Sequence, residues 1–296
     1  MRIAITGASG LVGSALVDLC RACGHEVFPA VRMPAGRAPL VWDPEAGLLE
    51  PGRWEAYDAV VHLAGENIAA RRWDARQKAR IRASRVEGTR RLCEGLARLE
   101  KPPRVLACAS AVGFYGNRGD ELLDESSLPG RGFLAEVCQE WEGAAEPARQ
   151  AGIRVVHLRF GIVLSPRGGA LGRMLLPFRL GLGGPIGSGR QRMSWIALDD
   201  AASAIVHVLN AEGVCGPVNL VSPQPVTNRD FARTLARVLR RPAWFFLPAP
   251  VARLALGEMA DEMLLASTRA VPHVLVETGY RFAHPELEPA LAYLLG

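Results

Sequence analysis

The chain has 296 residues, 49% of them apolar and 22% charged, enough for one large α/β domain or a nucleotide domain carrying a smaller lobe. No run of about 18 uncharged apolar residues occurs, which argues against a membrane span, and a strand at the very N-terminus leaves no room for a signal peptide. The net charge is +5, but 33 of the 35 basic residues are arginine, a skew that fits genome composition or thermal adaptation better than a nucleic-acid partner. In chain order, Met1–Thr6 is a short apolar strand, Gly7-Ala-Ser-Gly-Leu-Val-Gly13 a glycine-rich turn, and Leu16, Val17, Leu19 and Cys20 the inner face of a helix. Further strands are expected at Glu26–Val31, 59–63, 105–109 and 154–159, with a short extended insert at Leu40–Trp42 and helices near 74–98 and 133–151. Alternating β and α segments with uninterrupted apolar strands predict a Rossmann-type, doubly wound parallel sheet.

Beyond residue 165 the texture changes. Glycine-rich loops at 165–169 and 181–189 flank a short helix over 170–180. A helix over 200–211, a strand near 218–221 and a helix capped by Asn228 and running to Arg240 follow. Proline boundaries at Pro248 and Pro250 introduce helices near 250–256 and 258–266, with a last helix from Pro285. The expected organisation is a dinucleotide-binding domain over 1–165, with a strand returning near 217–222. A mostly helical substrate lobe over 166–296 then includes a C-terminal part over 248–296. Six cysteines (Cys20, Cys23, Cys93, Cys108, Cys138 and Cys215) are scattered through predicted elements, as in a reducing compartment. Cys20-Arg-Ala-Cys23 ends the first helix and reads as packing rather than a redox pair.

A strand, a glycine turn and a helix start are together what a dinucleotide pyrophosphate needs. Gly7 permits the tight turn, Gly10 lets the backbone approach the phosphates, and Gly13 allows close packing. The N–H groups of Ser9, Leu11 and Val12 at the positive end of the helix then face the anion. Arg32 ends the second strand, where NAD-selecting proteins carry an acid for the ribose hydroxyls; an arginine suits the 2′-phosphate of NADP. Its alternative is a plain surface arginine. Leu63-Ala64-Gly65 follows the third main strand, and Phe160-Gly161-Ile162 the fifth, both on the carboxyl side of the sheet where the crevice lies. Asp199-Asp200 opens a helix and reads as capping, and the six histidines show no metal-ligand spacing, so no metal is expected.

Thr6-Gly-Ala-Ser-Gly-Leu-Val-Gly13, with spacing G-x-x-G-x-x-G, resembles the fingerprint of extended short-chain dehydrogenases/reductases. His62-Leu-Ala-Gly65, Arg85-Val-Glu-Gly-Thr89 and Ser110-Ala-Val-Gly-Phe-Tyr-Gly116 resemble further segments of that family. The resemblance implies that the Ser110 hydroxyl holds a substrate oxygen and that Arg85 reaches the cofactor or an acidic substrate group; the alternative for Arg85 is a salt bridge on its helix. The family's Tyr-x-x-x-Lys pair is missing. Aligning Glu142 on the family glutamate places Leu134 at the tyrosine position and Cys138 at the lysine position, and that helix contains neither residue type. Phe133–Glu142, Leu175–Asp200, Leu256–Ala260 and Glu277–Phe282 resemble the atypical branch called "epimerase family protein", with a short C-terminal domain of its own.

That likeness implies NADP(H) binding but supplies no substrate; Arg32 favours NADP(H) over NAD(H), and the leading reading is hydride transfer to a small carbonyl or sugar-like substrate. Tyr115 and Ser110 are the catalytic candidates, and the loop 181–189 with Arg192, Ser194 and Trp195 lines the substrate side. The competing reading is a cofactor-binding sensor or regulator without turnover. A cytoplasmic monomer or homodimer with no membrane or nucleic-acid partner is expected.

Overall fold

The computed structural model describes residues 1–32 and 40–296. Eight strands form the main sheet: β1 (Arg2–Thr6), β2 (Glu26–Val31), β3 (Leu40–Asp43), β4 (Gly47–Leu49), β5 (Ala59–His62), β6 (Val105–Ala111), β7 (Arg154–Phe160) and β8 (Gly216–Leu220). Their spatial order is β8-β7-β6-β5-β1-β2-β3-β4. Seven of them run parallel, and β4 turns back antiparallel on β3. The order reverses between β1 and β5, where Thr6 pairs with His62. A crevice at the carboxyl ends of two such strands is where doubly wound sheets hold ligands. Ile3, Ala4, Ile5, Val60 and Val61 are completely buried, as strands covered on both faces must be.

The helices are α1 (Leu11–Ala22), α2 (Ala75–Ala97), α3 (Phe133–Gly143), α4 (Glu146–Gln150), α5 (Gly169–Arg179), α6 (Leu198–Asn210), α7 (Asn228–Val238), α8 (Ala249–Leu256), α9 (His273–Glu277) and α10 (Leu287–Leu295). In α1, Gly13, Leu16, Val17 and Cys20 recur every three or four residues and form its buried face. Asp74 caps α2 by accepting from the Gln77 N–H at 2.6 Å.

Several expected elements differ in detail. The helix expected over 133–151 is interrupted at Ala144–Ala145, because Pro147 has no N–H for the carbonyl four residues back and restarts the helix as α4. The cap of α7 is Thr227, which accepts from the Asp230 N–H; Asn228 instead accepts from the Ile186 N–H at 2.7 Å, tying the glycine loop to the helix. The helix expected over 258–266 is a single π-helical turn, Ala260–Leu265.

By internal contacts the chain divides into two compact units. The first comprises residues 1–110, 137–159 and 202–218, and its core joins Leu40, Trp42, Trp54, Leu92, Leu96 and Leu106. The second comprises residues 111–136, 160–201 and 219–296; Leu171, Phe178, Trp195, Phe231, Leu235 and Leu291 form its core. The six cysteines are free. Burial pushes the Cys20 thiol up to about 11, the opposite of what a redox nucleophile needs.

Candidate functional site

The glycine turn has the geometry that its sequence requires. Gly7 sits at φ +71°, and a Cβ there would lie 2.7 Å from the Ala64 nitrogen. Only glycine fits, for two reasons: the left-handed backbone and the close pass of the turn over the end of β5. A Cβ at Gly13 would overlap the Gly7 carbonyl oxygen and come within 2.8 Å of the Ala8 Cα, so this glycine lets α1 close on the turn. The Gly10 N–H donates to the Gly7 carbonyl at 2.9 Å. Gly10 caps α1 without a side chain, and the first turn of α1 carries no acid, so its N–H groups and the dipole are left for an external anion.

A groove of about 710 Å³ opens from this turn. Gly7, Ser9 and Gly10 line one part, Leu63, Ala64 and Gly65 another, and Arg21, Val31 and Arg32 its end at β2. Arg32 is exposed, and among the described residues no hydrogen bond or ion pair holds it. Behind the groove His62 is fully buried, its Nδ1 2.6 Å from the Thr6 hydroxyl and its ring edge-on to Trp42 at 5.0 Å. Burial lowers its pKa to about 3, so it is neutral at physiological pH.

Arg85 projects from α2 onto the turn after β5. Its guanidinium donates to the Glu66 carbonyl at 3.0 Å and lies 5.0 Å from the centre of the Trp141 ring. The Ser84 hydroxyl accepts from the Glu66 N–H at 3.0 Å. Together they fasten the 65–66 backbone in place. Trp141 is itself held by its indole N–H donating to the Thr89 hydroxyl at 2.8 Å.

Ser110, at the end of β6, donates to Glu142 at 2.6 Å. Glu142 also takes a two-pronged ion pair from the buried Arg159, both contacts at 2.8 Å. The Ser110 proton is thus engaged, leaving the hydroxyl lone pairs as its free function. Nothing local in the sequence announces the Glu142–Arg159 pair, because 17 residues and a change of element separate the partners.

The second unit contains the other site candidates. Tyr115 is completely buried, and its hydroxyl donates to the Asn219 side-chain oxygen at 2.8 Å, while the Asn219 amide donates to the Val271 carbonyl at 2.9 Å. Its phenol proton lies in the interior rather than on an open wall. Phe160 ends β7; the Gly161 N–H donates to the Leu220 carbonyl and the Ile162 N–H to the Ser194 carbonyl. A Cβ at Gly161 would come within 2.6 Å of the Ser194 oxygen, so close backbone packing by itself requires glycine there.

Ser194 and Trp195 do not line a substrate surface as expected. Both are buried, Ser194 donating to the Thr268 carbonyl at 2.9 Å and Trp195 to the Gln224 carbonyl at 3.0 Å. Arg192 does reach a cavity, of about 540 Å³, shared with Ser188, Arg190 and Gln191, where Asp120 pairs with it at 2.6 Å. Leu134, at the expected tyrosine position, has its backbone N–H taken by Glu262 at 3.2 Å, as has Phe133. Asp200 lies in the first turn of α6, and its carboxylate receives the N–H groups of Ala283 and His284 at 2.7 and 2.8 Å. It fastens the C-terminal segment.

The profile of the NAD dependent epimerase/dehydratase family matches residues 3–220. The chain belongs to this family. A second profile, a domain of unknown function (DUF1731), matches residues 247–294. Within the family, the chain is 46% identical over 292 residues to Epimerase family protein Mb2239 of Mycobacterium bovis, covering 98% of this chain and 96% of the relative. It is 39% identical to human Epimerase family protein SDR39U1, covering 98% of each. The crystal structure of human SDR39U1 (isoform 2) with NADPH superposes with a TM-score of 0.91 at 37% identity, over 99% of both chains. MoeE5, solved with UDP-glucuronic acid and NAD, shares the fold with a TM-score of 0.76 at 20% identity.

Proposed function

We propose that this family member binds NADP(H) in the groove of its first unit and acts as an epimerase- or oxidoreductase-like protein on a small carbonyl or sugar-like substrate. The groove carries this reading: an anion-ready helix N-terminus, Gly7 and Gly13 that admit no side chain, and two arginines at the β2 end. In it, Ser9, Gly10, Leu11 and Val12 take the pyrophosphate, and Leu63, Ala64 and Gly65 form the wall. Arg85 positions that wall through the Glu66 carbonyl. Phe160, Gly161 and Ile162 are assigned to the nicotinamide end. The NADPH bound by human SDR39U1 supports the same cofactor here, and the choice against NAD(H) rests on Arg32.

When bound, the cofactor supplies hydride chemistry. Ser110 and Tyr115 are the hydroxyls assigned to the substrate carbonyl, and Tyr115 can give up its proton only when its bond to Asn219 opens. Because both hydroxyls are already engaged, cofactor binding without turnover stands as the second reading. Arg32→Ala is expected to weaken NADPH about 10- to 100-fold, with little change for NADH, measured by fluorescence titration. Equal losses for the two would remove Arg32 as the selector. In a screen of carbonyl substrates, turnover abolished by Tyr115→Phe at unchanged NADPH affinity would assign the acid. Intact NADPH binding with no turnover on any carbonyl would favour the second reading.

A further inference from the structure

Nine of the thirteen large apolar side chains exposed among the described residues fall in two segments of the second unit, 176–182 and 244–254. Trp244 is 87% exposed, Leu254 78% and Leu176 67%, and Leu180, Phe245 and Phe246 are each more than half exposed. Hydrogen bonds hold the two segments side by side, one of them from the Arg241 guanidinium. Arg241 donates to the Arg179 carbonyl at 2.9 Å, the Leu247 N–H donates to the Pro185 carbonyl at 3.0 Å, and the Gly187 N–H donates to the Leu247 carbonyl at 2.9 Å. Prolines at 242 and 248 bracket the aromatic stretch Trp244-Phe245-Phe246, so its backbone is restricted while its rings face solvent. A patch of this kind on a soluble surface marks a contact site.

The charge around it selects the partner. Residues 167–187 and 231–257 contain eight arginines and no aspartate or glutamate. Arg237 and Arg253 are paired with Glu288 and Asp261, whereas Arg179, Arg240 and Arg241 are exposed and, among the described residues, in no ion pair with an acid. Packing this face on a second copy would set arginines against arginines. Protruding rings and leucines ringed by arginine fit an anionic bilayer surface: apolar tips enter the headgroup boundary and guanidinium groups meet lipid phosphates.

We propose that the face formed by residues 176–182 and 240–254 docks the protein peripherally on a membrane rich in anionic phospholipid. The experiment is co-sedimentation of the full chain with phosphatidylcholine vesicles and with vesicles containing phosphatidylglycerol, with tryptophan emission recorded in parallel. Binding to the anionic vesicles alone is expected, with a blue shift and with release at about 1 M salt, where the screening length falls to about 3 Å. Trp244→Ala with Phe246→Ala should abolish the blue shift, and Arg240→Ala with Arg241→Ala should weaken binding more than about tenfold. All four positions are exposed, and circular dichroism with thermal melting checks that the fold is kept.

Absence of sedimentation with either vesicle, or equal binding by the variants, would overturn the proposal. So would a wild-type dimer in solution that Trp244→Ala converts to monomer, which would give the face to a second copy. Retention on immobilised polyglutamate without vesicle binding would assign it to an acidic protein instead.

Discussion

Gly13 closes the glycine turn and His62 pairs with Thr6 just before it, and the two show different limits on what a side chain can do there. A methyl group at Gly13 would overlap the Gly7 carbonyl, which cannot move without dislodging the turn from Leu63 and Ala64. Gly13→Ala is expected to abolish NADPH binding and to lower the melting temperature, whereas Ser9→Ala, on the exposed rim, should leave the melting temperature unchanged. His62 is buried neutral with a pKa of about 3. The unfolded chain takes up a proton near pH 6.5 that the folded chain refuses until about pH 3, so stability falls as the pH drops through that window. At pH 5 the loss relative to neutral pH is about 2 kcal/mol, and it should be absent in His62→Gln; denaturant melts of the two proteins at pH 7 and pH 5 measure the difference. Tyr115→Phe leaves the Asn219 oxygen without its donor and should cost about 1–3 kcal/mol of stability. The glycines were legible from sequence because their constraint is local. The burial of Tyr115 was not, since its partner lies 104 residues away.

Among the elements, the long periodic helices, the five principal strands, the short insert at Leu40–Trp42 and the helix near 250–256 could be read from sequence, and the shortest strands could not. Two-residue strands such as Leu122–Leu123 exist only because Arg269–Ala270 lies beside them, a pairing invisible locally. The break between α3 and α4 was readable in principle from Pro147, which interrupts an otherwise helical pattern. Between elements, the contact least visible in sequence joins β6, α3 and β7 through Ser110, Glu142 and Arg159. Glu142→Gln keeps the size but strips the charge from a nearly dry ion pair. It is expected to destabilise the protein by about 3–5 kcal/mol, because the buried Arg159 guanidinium loses the carboxylate charge of Glu142, and equilibrium urea unfolding would show it. Hydropathy windows also miss the arginine-rimmed aromatic face, since it is assembled from two segments that are separately too short to register.

On the scale of the whole molecule, each unit is assembled from three separate stretches of chain, which a linear division cannot represent. The doubly wound sheet follows from alternating apolar strands and amphipathic helices, and family membership from the full-length match to relatives of the same size. What the fold fixes most firmly is the anion-ready turn where the strand order reverses. The decisive measurement is therefore a parallel titration of the wild-type chain with NADPH and NADH, following cofactor fluorescence. Saturable NADPH binding at least about tenfold tighter than NADH is the expected result, a difference of about 1.4 kcal/mol or more. Failure to bind either nucleotide would contradict the account, leaving the glycine turn as a packing device alone.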